Sequence, residues 1–86
     1  MLRTRNLTLT STAQELTIDD DMDTPNTISI QNTDSLEPIY IGSESVTTSS
    51  YGIKLAAGQT FSAELAANDQ IYAVGSGPVA VMILER

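Results

Sequence analysis

Between positions 43 and 50, six of eight residues carry a hydroxyl: Ser43, Ser45, Thr47, Thr48, Ser49 and Ser50. A serine becomes a nucleophile only with a base in hydrogen-bond reach and donors aimed at the oxyanion. The chain has no His and no Cys, which removes the usual base, the commonest metal ligand and all thiol chemistry. Its one lysine, Lys54, stands between Ile53 and Leu55, and that alternation points the amine away from a core. These hydroxyls therefore read as a long polar loop whose side chains satisfy local backbone groups. Tyr51-Gly52 returns the chain to the sheet.

Asp19, Asp20, Asp21 and Asp23 put four carboxylates within five residues, a density that suits an oxygen-ligated cation such as Ca²⁺. The spacing is not that of an EF-hand, which needs Gly at its sixth position and Glu at its twelfth. A solvated acidic connection that discourages strand pairing explains the run without a metal. Paired acids also serve glycosidases, but with no Trp, one Phe and three Tyr the chain lacks aromatics to line a deep sugar cleft. Gly75-Ser76-Gly77 leads into Pro78-Val79 and a β-rich run rather than a helix, so it reads as a hairpin turn and not a phosphate loop. No cofactor, metal or catalytic group is expected, and the chain does not read as an enzyme.

These residues must be positioned by strands. Leu7 and Leu9, Leu16 and Ile18, Ile28 and Ile30, Ile53 and Leu55, and Phe61, Ala63 and Leu65 each flank polar residues with period two, the pattern of half-buried strands. Thr and Ser fill the alternate positions, and the β-branched Thr suits a pleated surface. Turn residues interrupt at 11–12, 19–26, 32–37, 42–52, 57–59, 67–69 and 75–77. The expectation is an all-β fold: a small antiparallel sandwich, jelly roll or barrel of about eight short strands, forming one domain over residues 1–86.

The formal charge is −7, with four bases (Arg3, Arg5, Lys54, Arg86) against eleven acids. Nucleic acid needs clustered Lys and Arg, and anionic membranes repel such a chain, so neither is an expected partner. The start, with Arg3 and Arg5 but no apolar stretch, does not read as a secretory signal. Asn6-Leu7-Thr8 matches the glycosylation pattern by chance on that reading.

Two segments break the alternation: Pro38-Ile39-Tyr40-Ile41 and Val79 to Leu84, apolar on both faces. An 86-residue chain has a marginal core of its own. The second faces are therefore expected to meet another subunit, with Ile39, Tyr40, Ile41, Ala80, Met82 and Leu84 as interface residues. Arg3 and Arg5 are candidates for an acidic partner surface, on an arm formed by residues 1–25; the alternative is an ordinary soluble first strand with no such role.

Residues 26–86 resemble small accessory virion proteins of tailed bacteriophages. The likeness is carried by Ile30-Gln31-Asn32-Thr33, then Tyr40-Ile41-Gly42, Val46-Thr47-Thr48 and the return Tyr51-Gly52-Ile53. Leu55-Ala56-Ala57-Gly58, Ile71 to Val74, a Gly-rich turn and an end on Leu84-Glu85 complete it. The resemblance implies a small β-sandwich, without catalytic residues, working in a virion assembled in the host cytoplasm. Its implied role is a head decoration or cement protein clamping the major capsid protein or other virion proteins as a homo-oligomer, with a trimer matching a three-fold site. Two further expectations stay open: a fibre or tail module recognising cell-surface glycans through the acidic loop and Ca²⁺, and a tail or head–tail connector component.

Overall fold

The computed structural model describes residues 2–17, 26–66 and 69–85. Ile18, the Asp19–Asp23 run with the calcium reading attached to it, and the Ala67-Asn68 part of one turn lie outside the described residues. Eight strands run through the described chain: β1 (Leu2–Thr8), β2 (Gln14–Glu15), β3 (Asn26–Asn32), β4 (Ile39–Gly42), β5 (Ile53–Leu55), β6 (Thr60–Leu65), β7 (Tyr72–Val74) and β8 (Pro78–Glu85). They form two antiparallel four-stranded sheets, ordered β1-β8-β3-β6 and β2-β7-β4-β5. First pairs with eighth, second with seventh, third with sixth and fourth with fifth. A long hairpin rolled into two layers gives this order, which is that of a jelly roll. Of the three architectures the sequence allowed, the strand order selects this one.

The core lies between the layers. From one sheet Ile28, Ile30, Val79, Val81, Ile83 and Leu65 point inward, and from the other Ile39, Ile41, Leu55 and Ala73, with Leu9 and Leu16 closing the gaps. These are the apolar members of the period-two patterns, and burying them supplies most of the folding free energy. Residues 2–8 are no separate arm: β1 pairs along its whole length with β8, from Leu2 opposite Leu84 to Thr8 opposite Pro78. Arg5 falls on the core side of this edge strand, half-buried, and its Nη1 donates to the Thr17 carbonyl across the sandwich at 3.3 Å. An inward-facing charge of this kind guards an edge against further strand pairing.

The turn at 75–77 differs from expectation. It joins β7 to β8, which belong to different sheets and do not pair, so it is a crossing between layers rather than a hairpin. Tightness explains its glycines. A Cβ on Gly77 would lie 1.8 Å from Asp34 Oδ2 and 2.7 Å from its Cγ.

At the same end, Asn32 is wholly buried and uses every polar group it has. Its Nδ2 donates to the carbonyls of Glu37 (2.8 Å) and Leu55 (3.0 Å), and its Oδ1 accepts from the Asp34 N–H (3.0 Å). Its own N–H donates to Gln59 O and its carbonyl accepts from Gly58 N–H, both at 2.9 Å. One side chain thus ties the end of β3 to the entry to β4, the end of β5 and the 56–59 turn. That turn closes with Gln59 N–H on Ala56 O at 3.0 Å, and Gly58 takes φ +82, the left-handed third position of a type II turn.

The long 43–52 loop is not simply solvated. Val46 and Val74 are both buried yet stand outside the inter-sheet cluster. Val74 points to the outer face of its sheet, since its neighbour Ala73 faces the core. Val46 sits on Gly42, where an added Cβ would lie 3.1 Å from Val46 Cγ2. The Tyr40 and Tyr51 rings stack at 4.9 Å, tilted by 53°. The loop therefore folds back over the outer face of the β2-β7-β4-β5 sheet, with Val46 as its apolar plug.

Three expectations follow for equilibrium denaturation. Asn32→Ala loses about 2–3 kcal/mol, because Glu37 O, Leu55 O and Asp34 N–H lose their buried partner, and Asn32→Asp loses more by facing a carboxylate to two carbonyls. Gly58→Ala costs about 1 kcal/mol through backbone strain alone, since an added Cβ there meets nothing within 4 Å. Val46→Ala costs about 1–2 kcal/mol and speeds chymotrypsin cleavage beside Tyr51, while the strands stay protected.

Candidate functional site

The outer face of the other sheet, β1-β8-β3-β6, has no loop folded over it among the described residues. Alternation in β8 sends Val79, Val81 and Ile83 inward and Pro78, Ala80, Met82 and Leu84 outward. The register sets Leu2 beside Leu84, Leu84 beside Thr27 and Thr27 beside Glu64. The next row is Thr4, Met82, Ser29 and Ser62, and the one after it Asn6, Ala80, Gln31 and Thr60. Along these rows only Glu64 is ionisable, although the chain as a whole carries −7.

Three large apolar side chains stand exposed together at one end of this face: Leu2 at 56%, Met82 at 43% and Leu84 at 47%. Toward the other end small Ala80 sits among longer neighbours, and its shortness leaves a shallow open depression of about 430 Å³. Thr4, Asn6, Gln31, Thr60 and Met82 are among the residues that wall it. The hydroxyls of Ser29 and Ser62 meet across the strands at 3.0 Å, which leaves the middle of the face flat. A surface with an apolar end, amide and hydroxyl groups elsewhere and almost no charge has the composition of an interface core rather than a solvated flank.

The residues singled out from sequence fall into separate places. Ala80, Met82 and Leu84 are brought together on this face. Tyr40 lies on the outer face of the opposite sheet, beneath Tyr51 and with Lys54 Nζ 5.8 Å from its ring centroid. Ile39 and Ile41 are 1% and 4% exposed and serve the core, so β4 is not apolar on two accessible faces. Arg5 is committed to the Thr17 carbonyl rather than offered to an acidic partner. Arg3 stands opposite Ile83 by backbone register, and its side chain lies outside the described residues. Leu2, Asn6, Ser29 and Gln31 were not anticipated. The parity of Leu2 gives a clue, since it is out of phase with Leu7 and so falls on the face opposite to the core.

Several hydroxyls of the 43–50 run bond to one another or to nearby backbone. Ser43 and Ser45 pair with each other at 3.1 Å. The Thr47 hydroxyl accepts from the backbone N–H groups of Ser49 and Ser50 at 3.2 and 3.0 Å. Lys54 Nζ lies over the Tyr40 ring. Among the described residues no three His, Cys, Asp or Glu side chains gather closely enough to hold a metal.

No family model matches the sequence, and no curated protein matches it. Among solved structures, the chain is similar in fold to one of the Bacillus endospore appendages, a family of disulfide-linked pili. It superposes with a TM-score of 0.57 at 17% identity, spanning 96% of this chain and 82% of that one. The present chain has no cysteine and so none of the disulfide chemistry named for those pili. At that identity the likeness is one of fold alone, and it agrees with the all-β architecture of this chain.

Proposed function

We propose that the protein is a structural component of a tailed-phage particle, a decoration or cement protein that docks on capsid subunits through the outer face of its β1-β8-β3-β6 sheet. The observation that carries this reading is a sheet face with one ionisable side chain, uncovered among the described residues, with Leu2, Met82 and Leu84 exposed at one end. It stands in a strongly acidic chain whose other outer face is covered by its own loop. The resemblance of residues 26–86 to accessory virion proteins supplies the setting. A partner suited to this surface offers a flat, weakly polar seat with basic groups around it, since the acidic chain then gains from charge complementarity at the rim.

The size of the face argues for more than one copy. Four strands about 4.8 Å apart and about seven residues long at about 3.3 Å each give a footprint of roughly 450 Å². Even allowing for corrugation, this falls below the roughly 800 Å² per partner of an ordinary stable interface. A homo-oligomer multiplies the contact, and linked weak sites gain effective concentration. A trimer does so at a three-fold position of a shell.

The test is co-sedimentation with purified particles and separated heads, together with light scattering for the mass of the free protein. Met82→Glu places a carboxylate in the seat at an already exposed position. Its expected effect is at least a roughly tenfold loss of head binding with unchanged denaturation. Thr48→Val, on the far side, is expected to bind like the parent. Absence of the protein from purified particles, or full binding by Met82→Glu, overturns the proposal. Co-purification with tails alone shifts it to a tail or connector component.

A further inference from the structure

A second depression, of about 290 Å³, lies on the opposite side of the molecule from the docking face. Three connections meet there: the one leaving β1, the one entering β4 and the crossing turn after β7. Ser11, Glu37, Pro38, Tyr40, Thr48, Gly75 and Ser76 line it. Its floor is held in place by the Gly75 N–H bond to Thr10 O at 3.0 Å and the Asn32 bond to Glu37 O at 2.8 Å. Thr48 reaches in from the 43–52 loop, whose position Val46 fixes.

The lining gathers hydroxyls and one carboxylate around an apolar patch. In the 43–52 loop some hydroxyls are occupied with one another or with backbone, as in the Ser43–Ser45 pair and the Thr47 bonds. Around the depression, the hydroxyls of Ser11, Tyr40, Thr48 and Ser76 and the Glu37 carboxylate make no hydrogen bond among the described residues. Hydroxyls both donate and accept, and a carboxylate takes two donors at once. The Tyr40 ring and Pro38 supply apolar surface between them. The volume stands at the lower end of small-ligand sites.

We infer that this depression is a binding site for a neutral carbohydrate unit, one or two sugar rings of a larger glycan. A sugar presents adjacent hydroxyls that match Glu37 and the Ser/Thr groups. It also presents a face of C–H bonds that packs on an aromatic ring and a proline. Glu37 is the one charged residue of the lining, and Lys54 stands behind it with Nζ 5.8 Å from the Tyr40 ring centroid, so a ligand meets a carboxylate first and phosphates and acidic sugars are disfavoured. An open site of this size binds weakly, in the millimolar range, and gains strength from the many copies a particle displays. This site is separate from the docking face, so either can fail without the other.

The experiment is a titration of isotope-labelled protein, followed by amide NMR shifts, with the methyl glycosides of glucose, galactose, mannose and N-acetylglucosamine. Sialic acid serves as the anionic comparison. Saturable shifts at Ser11, Tyr40, Thr48 and Ser76 are expected for at least one neutral sugar and not for sialic acid. Tyr40→Ala and Glu37→Gln are each expected to weaken binding by at least about fivefold, whereas Met82→Glu leaves it unchanged. Glu37→Gln and Thr48→Val are exposed changes, so they keep the test informative if Tyr40→Ala loosens the loop. No shift with any neutral sugar up to about 100 mM, shifts confined to the docking face, or equal binding of sialic acid overturns the inference.

Discussion

Asn32 ties the two layers of this jelly roll together at one end. A buried amide is costly unless each donor and acceptor is matched. Here all three side-chain bonds and both main-chain bonds are made. Their partners belong to segments that arrive from different parts of the chain: the run into β4, the end of β5 and the turn before β6. The bonds are satisfied together only when the chain crosses from sheet to sheet in this order. The site proposed for sugar inherits that geometry, since Glu37 is held through its carbonyl by the same amide.

The two outer faces divide the surface into unlike regions. Over the β2-β7-β4-β5 sheet, a loop made almost entirely of small hydroxylated residues is pinned by one valine and a tyrosine pair. Its hydroxyls settle much of the backbone polarity of the loop locally, so it needs little burial to hold its shape. Over the β1-β8-β3-β6 sheet no such loop lies among the described residues, and the strands there present Leu, Met, Ala, Thr, Ser, Asn and Gln with one carboxylate. Such a face repels little and solvates modestly, which suits docking to a surface of matching shape.

Three of the four sheet edges are guarded against the addition of a further strand. β2 and β5 are only two and three residues long, and short edges offer little template for another strand. β1 is longer, but Arg5 turns inward from it to the Thr17 carbonyl, and a charge that must stay hydrated resists burial under an added strand. Its charge in an acidic chain makes this arginine a candidate for a partner surface. Its parity with Leu7 shows instead that it faces the sandwich.

The sequence by itself determined the class of the fold and nearly all of the core, because period-two alternation is a local property that a pleated strand converts directly into two faces. Leu7, Ile28, Ile30, Leu55 and Leu65 could be placed inward from that pattern alone. The missing His and Cys also bounded the available chemistry. Tertiary structure alone decided which apolar strand shows a second face. In Val79–Leu84 that face is open, whereas β4 puts Ile39 and Ile41 inward and lays Tyr40 beneath a loop. Whether a turn such as 75–77 folds a hairpin or crosses between layers also depends on pairing between residues far apart in sequence. No local pattern encodes those long-range partners, and they are what gather Leu2 with Leu84, and Ser11 with Thr48 and Ser76.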